Sequence, residues 1–177
     1  MMRLFIALRP SPAFRDALAT LQERLRASGA AGRWLAPENL HLTLAFIGEW
    51  QDPETVLSLL PPVKKAFSIA LSHLGFFPKA DVLWAGTRPN DKLDALAACV
   101  RDRLTEGGVR FDPRPFVPHI TLARKPKLPE GMDLSLFPVP PAEMTVRELC
   151  LYKSERGENG MMYTVIGSTR TDEEGAP

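Results

Sequence analysis

Apolar residues along this chain fall into two kinds of segment. Short continuous runs at residues 4–8, 40–47 and 120–123 have the length and composition of buried strands. Two longer stretches, at residues 14–25 and 93–104, repeat apolar residues at steps of three and four, which is the spacing of a helix with one buried face. Strands interspersed with long helices, without strict alternation of one strand and one helix, predict an α+β fold.

The ends of both long helices are marked in the sequence. Ser11 precedes a proline and is a typical N-cap, and Gly29 provides the stop. Asn90 or Asp91 caps the second helix, which ends at Gly107. The remaining segments predict a short helix from residue 52 to a proline pair at 61–62, strands at 34–35, 66–73, 81–87, 143–153 and 161–168, a turn at 75–78 and a hairpin turn at 157–160.

One short pattern occurs in both halves of the chain, as His-Leu-Thr-Leu at residues 41–44 and His-Ile-Thr-Leu at residues 119–122. Side chains alternate across a strand, so the histidine and the threonine of each copy leave the same face. Each copy also follows a long helix at a similar distance. This repetition predicts two pseudo-symmetric lobes, each a small antiparallel sheet with helices, and a cleft between them that holds both motifs.

The paired motifs bring together two imidazoles, of His41 and His119, and two hydroxyls, of Thr43 and Thr121. An imidazole pair can supply one proton acceptor and one proton donor near neutral pH, and hydroxyls can stabilise charge on a phosphoryl group. A single copy would more often be a structural histidine in a half-buried strand. The pair favours splitting of a phosphate ester without metal or other cofactor, and it offers too few ligands for a metal-dependent hydrolase. His73 lacks a threonine two places on and is interpreted as structural or exposed.

Composition narrows the choice of partners. Lys and Arg number 22 against 21 Asp and Glu, so the chain has no overall positive field, and any contact with nucleic acid should be local. The two cysteines lie in apolar segments and are expected to be free thiols. No apolar run is long enough to span a membrane, which predicts a cytoplasmic protein. We expect one two-lobed domain at residues 1–170, a flexible tail at 171–177 and a monomer.

Four stretches carry a family resemblance: residues 3–8, 34–49, 82–84 and 116–124. Their signature is the two His-x-Thr motifs, with Phe46 five places after the first histidine and Arg124 five places after the second. With these features the chain resembles the bacterial RNA 2′,3′-cyclic phosphodiesterase family, also called 2′-5′ RNA ligase, of the two-histidine phosphoesterase superfamily.

The resemblance implies a two-lobed fold and hydrolysis of a ribose 2′,3′-cyclic phosphate to a 2′-phosphate, on RNA 3′ ends or nucleotides, sometimes with reversible 2′-5′ joining of RNA. It also implies that His119 is the base and His41 the acid. Arg124 and Phe46 would bind substrate, although strict strand alternation places both on the face opposite the threonines. They reach the site only if the strands end or bulge there. The alternatives are a related enzyme for small cyclic nucleotides or 2′-5′-linked oligonucleotides, and a module that holds RNA ends without cleaving them.

Overall fold

The computed structural model describes residues 1–158 and 160–170, so the expected tail at 171–177 lies outside the described residues. Within this part of the chain the structure contains three α-helices and a nine-stranded sheet. The helices are α1 (Pro12–Ala27), α2 (Pro53–Leu59) and α3 (Asp91–Glu106). The strands are β1 (Met2–Leu8), β2 (Ala31–Trp34), β3 (Leu42–Trp50), β4 (Phe67–Phe77), β5 (Val82–Thr87), β6 (His119–Lys127), β7 (Glu143–Val146), β8 (Glu148–Gly157) and β9 (Gly160–Arg170).

The strands form one sheet in the order β7-β4-β5-β6-β3-β1-β8-β9, and β2 adds to it by pairing with β6. Every one of these pairings is antiparallel. The two halves, β7-β4-β5-β6 and β3-β1-β8-β9, meet at a single paired position, Leu42 opposite Ile120. The predicted α+β class is confirmed.

The two halves share a local chain order. In one half β1 leads through α1, and then through β2 that joins the other half, to β3, its antiparallel neighbour; in the other half β5 leads through α3 to β6. Both helices have 16 residues, and both motif strands have 9. The predicted caps are confirmed, because the Ser11 hydroxyl accepts from the Phe14 amide and the Asn90 side chain accepts from the Leu93 amide.

The core lies between the helices and one face of the sheet. Helix α1 buries Phe14, Leu18, Leu21 and Leu25, which belong to the same apolar cluster as the corresponding residues of α3. A second, small cluster lies on the opposite face of the sheet and consists of Phe5, Ala7, Cys150 and Tyr152. This opposite face is the one that the motif histidines and threonines share, since their strand neighbours Leu42 and Ile120 are buried in the main core.

Two predicted elements are wrong in detail. Residues 143–153 form two strands in different halves of the sheet: β7 is an edge strand paired to β4, and β8 lies between β1 and β9. The buried residues of β7 are at even positions, whereas those of β8 include odd positions. The set of positions that faces the core therefore changes between the two strands, at Arg147. The segment 75–78, predicted as a turn, belongs to β4 as far as Phe77. The glycine at position 75 is needed for packing rather than for a turn, because a side chain there would overlap the Trp84 ring.

Candidate active site

The two motifs meet where the halves of the sheet join. Leu42 and Ile120 are the middle residues of the two His-x-Thr patterns and are paired directly. Extending this antiparallel register by one residue on each side sets His41 beside Thr121, and Thr43 beside His119. The two histidines are then diagonal neighbours, whose separation in an antiparallel pair is about 7–8 Å. The charge of His119 contributes to lowering the pKa of His41, which indicates that the two imidazoles lie near each other.

Both motif strands contain a bulge at the same motif position. In β3, Ala7 of β1 pairs with Thr43 and the next residue, Ile6, pairs with Ala45, so Leu44 is the extra residue. In β6, Trp84 of β5 pairs with Thr121 and Leu83 pairs with Ala123, so Leu122 is the extra residue. In each strand the residue after the extra leucine is also buried. From that residue onward, the positions whose side chains face the core are therefore shifted by one relative to the start of the strand.

The bulges return the fifth residue after each histidine to the face that carries the motif threonine. Phe46 is paired with Phe5 and packs on the small cluster of that face, and the Arg3 guanidinium lies 5.0 Å from its ring centre. Arg124 is exposed, and its charge contributes to lowering the pKa of His41. The structure therefore brings both residues to the face of the paired motifs, as the resemblance implies.

Both imidazoles are held in the same way. Nδ1 of His41 lies 2.7 Å from the carbonyl oxygen of Asn39, and Nδ1 of His119 lies 2.7 Å from that of Val117. A carbonyl oxygen can only accept, so Nδ1–H is the donor in each contact and Nε2 remains available to a substrate. Each carbonyl lies two residues before its histidine, and Val117 precedes a proline, which favours extended backbone at this position.

Aromatic rings surround both histidines and remove them partly from water. The ring centre of His41 lies 4.7 Å from that of Phe5 and 5.1 Å from that of Tyr163. His119 has Phe77 edge-on at 4.9 Å and Trp84 at 5.9 Å.

Loss of solvation is the main reason why the pKa of His41 falls from 6.5 to about 4, and the charges of His119 and Arg124 lower it further. Desolvation likewise lowers the pKa of His119, with a contribution from the Arg114 charge. Both imidazoles are therefore mainly neutral at neutral pH in the free protein, and the two sites are electrostatically coupled.

Sequence reasoning missed three of the aromatic residues around the histidines: Phe5, Phe77 and Tyr163. Phe5 lies in a run that is buried on both faces of β1, so no alternation marks its face. Tyr163 contacts His41 from a strand more than 100 residues away in the chain. His73 is exposed, as interpreted, and it packs edge-on against Trp84 at 5.5 Å.

Within residues 1–158 and 160–170, no group of three or more His, Cys, Asp or Glu side chains has the arrangement of a metal site. Among the same residues, no helix has both the length and the apolar character needed to cross a bilayer.

Comparisons with known proteins indicate one family and one fold. Residues 10–158 match the model of the 2′-5′ RNA ligase superfamily. An RNA 2′,3′-cyclic phosphodiesterase of Thermotoga maritima is 30% identical over 175 residues, covering 93% of both chains. One of Escherichia coli K12 is 36% identical over 142 residues, covering 77% of this chain and 78% of the relative. The apo crystal structure of E. coli LigT has a TM-score of 0.78 at 29% identity, covering 96% of this chain and 97% of LigT.

Proposed function

Because the chain belongs to the 2′-5′ RNA ligase superfamily, we propose that it hydrolyses RNA 2′,3′-cyclic phosphates to 2′-phosphates with His41 and His119 as a proton-transferring pair. The observation that supports this most directly is the pairing of Leu42 with Ile120, because it aligns the two motifs side by side. A site for binding alone would need no such pair of imidazoles, each with a free Nε2.

The reaction requires two proton transfers. Water attacks phosphorus and gives a proton to Nε2 of one histidine, while the P–O3′ bond breaks. The other histidine, protonated at Nε2, donates that proton to O3′, which leaves as a hydroxyl. The product is a 2′-phosphate monoester, and the proton gained by one imidazole balances the proton lost by the other.

The threonines and Arg124 contribute charge stabilisation in this proposal. The hydroxyls of Thr43 and Thr121 donate to the non-bridging phosphoryl oxygens. Arg124 and Arg33 are exposed and paired directly opposite each other on β6 and β2, where like charges repel. None of the ion pairs within the described residues involves either guanidinium, so an RNA phosphate would relieve this repulsion. Phe46 lies where a nucleobase could stack.

Hydrolysis is expected to proceed in excess EDTA, because imidazoles and hydroxyls supply every group that the proposed steps use. The measurement is conversion of RNA with a 2′,3′-cyclic phosphate end, with ³¹P NMR to identify the product as the 2′- rather than the 3′-monoester. Absence of any hydrolysis contradicts the proposed function. Loss of activity in EDTA and recovery with a divalent cation contradicts metal independence alone.

The same assay separates the substrate classes. RNA ends are expected to react with a higher kcat/KM than cyclic mononucleotides or 2′-5′-linked adenylate, because the paired guanidiniums of Arg33 and Arg124 offer one positive charge beyond the one that Arg124 directs at the reacting phosphate. Preference for a mononucleotide would instead identify a small-nucleotide enzyme with the same catalytic residues. Formation of 2′-5′-joined RNA in the reverse direction tests the ligation activity.

The proposal also includes that the protein acts as a monomer in the cytoplasm.

The pH dependence of kcat/KM is expected to be bell-shaped with an optimum between about 4 and 6.5. In the free protein both histidine pKa values lie below 6.5, that of His41 at about 4, and the reactive form carries one proton on the pair. The rate therefore falls above pH 6.5 as this proton is lost. In the complex the phosphate charge raises both pKa values, so kcat should peak at higher pH than kcat/KM.

The control for this profile is the unfolding midpoint at each pH. Protonation of the two histidines is less favourable in the folded than in the unfolded protein, so stability decreases as the pH falls from 6.5 towards 4. Rates are compared only where the protein stays folded. A kcat/KM optimum above pH 7 would contradict the prediction.

Arg124→Ala is expected to raise KM by about 10- to 100-fold with little change in kcat, as a hydrogen bond to a charged group contributes about 1.5–3 kcal/mol. The reason is that the guanidinium holds the phosphate in both the ground state and the transition state. Arg24→Ala, on the exposed side of α1, removes the same charge on the helix side of the sheet and should leave KM unchanged. An equal fall of kcat and kcat/KM for Arg124→Ala would show that it acts only in the transition state.

A further inference from the structure

Each long helix carries a polar residue at its apolar stripe, and Gln22 of α1 is buried while Arg101 of α3 is half-buried. Gln22 of α1 lies four residues after Leu18 and three before Leu25. Arg101 of α3 lies at the same place, ten residues after the first residue of a 16-residue helix and three before the buried Leu104. A polar side chain on the core face is costly unless it is hydrogen-bonded, so both require partners.

Gln22 joins the second motif strand to the segment that leads into the first motif. Its side-chain amide donates to the carbonyl of Leu122 at 3.0 Å and to that of Leu35 at 2.9 Å. Leu122 is the extra residue of the β6 bulge, and the backbone amide of Leu35 also donates to its carbonyl. Gln22 is only 4% exposed, so these contacts are shielded from water.

Arg101 joins the first motif strand to the segment that leads into the second motif. Its Nε donates to the carbonyl of Leu44 at 3.2 Å, and its Nη1 donates to that of Arg114 at 2.8 Å. Leu44 is the extra residue of the β3 bulge, and Arg114 belongs to the segment before His119. The Arg101 guanidinium also lies 6.0 Å from the ring centre of Phe116 in that segment.

We propose that Gln22 and Arg101 are positioning residues that set the relative placement of His41 and His119. Each one connects the bulge of one motif strand to the segment that leads into the other motif. Gln22 contacts the β6 bulge from α1, the helix that precedes β3, and Arg101 contacts the β3 bulge from α3, the helix that precedes β6. The bulges return Phe46 and Arg124 to the site face, so the same contacts also fix the substrate-binding residues. This inference rests on the proposed function, since placement of two imidazoles matters only if both act on one phosphate.

Gln22→Met and Arg101→Met are expected to lower kcat by about 10- to 100-fold, because displacement of a catalytic group by about 1 Å can cost 10²-fold in rate. KM should stay within about threefold, since the groups that hold the phosphate remain. Methionine has a similar length and no hydrogen-bond donor, so it removes the connections while filling the space. Arg101→Lys retains a donor and should recover part of kcat.

Matched controls come from the same chain. Arg103→Met lies on the same helix and removes a contact to the carbonyl of Leu59, outside the motifs. Gln51→Met is exposed and lies before α2. Both controls should keep wild-type kcat. NMR titration of the imidazoles adds a second readout: the His41 midpoint should shift in Gln22→Met and Arg101→Met, where the placement of His119 relative to His41 changes, and stay in place in both controls.

The outcomes separate this inference from the proposed function. An inactive wild-type protein contradicts the function itself. An active wild type, together with folded Gln22→Met and Arg101→Met variants whose kcat and His41 midpoint are unchanged, overturns the positioning role. Circular dichroism establishes folding, and because Arg101 is only half-buried, Arg101→Met decides the question if Gln22→Met does not fold.

Discussion

His41→Ala and His119→Ala are each expected to lower kcat on a 2′,3′-cyclic phosphate by about 10²- to 10⁴-fold, the usual contribution of a positioned acid or base. Either change leaves one of the two proton transfers to water. The double variant should be scarcely slower than either single variant, because acid and base act as a unit. Single-turnover rates on RNA with a cyclic end provide the measurement.

The third histidine supplies the control for this experiment. His73→Ala removes an exposed imidazole outside the motifs and should keep kcat near the wild-type value. His41→Ala removes packing against Phe5 and Tyr163, and His119→Ala removes packing against Phe77 and Trp84, so the unfolding midpoint should fall in both variants and rates are compared where both are folded. If the rate effects of the two single variants multiply in the double variant, the histidines act independently and the proposed mechanism is wrong.

A change of leaving group assigns the two roles. The family resemblance implies that His119 is the base, whereas the lower pKa of His41 makes it the more completely neutral imidazole in the free protein. A substrate with sulfur in place of O3′ needs no acid, because a thiolate leaves without a proton. The variant that recovers its rate on this substrate lacks the acid: recovery of His41→Ala supports the family assignment, and recovery of His119→Ala reverses it.

Thr43→Val and Thr121→Val are expected to lower kcat by about 10²- to 10³-fold each, as removal of a transition-state donor does elsewhere. Valine keeps the branched shape and the strand preference of threonine and removes only the hydroxyl hydrogen bond. Thr145→Val on β7 is the matched control, since this threonine is exposed on a strand far from the motifs. Unchanged kcat in both motif variants would show that the phosphoryl oxygens are stabilised by other groups.

The elements with strong local signals could be predicted from the sequence. Capping residues at Ser11 and Asn90 and helical spacing placed α1 and α3 to within one or two residues. The His-x-Thr repetition identified both motif strands, because period-two alternation determines which side chains share a face. The repetition of the motif after each long helix, rather than these local rules, is why the two motifs could be expected to face a common cleft.

The remaining features depend on contacts between distant segments. Strict alternation places Phe46 and Arg124 on the wrong face, and only the register with β1 and β5 shows the bulges. Consecutive apolar residues at 44–45 and 122–123 are the one local sign of them. The polar residues Gln22 and Arg101 stand out against the apolar stripes, but their partners in the motif strands lie 100 and 57 residues away, respectively. Sequence spacing carries no information about such partners.

The order of strands in the sheet bears on how the chain folds as it leaves the ribosome. The half that contains the first motif is completed by β8, which pairs with β1, and by β9, which pairs with β8, and both are available only after residues 148–170 have been synthesised. The half that contains the second motif needs only residues 67–146 and β2, all of which emerge earlier. We therefore expect the second motif to become ordered first, and β1 and β3 to become ordered only when β8 and β9 have formed. Nascent chains truncated before residue 148 should expose the edge of β1.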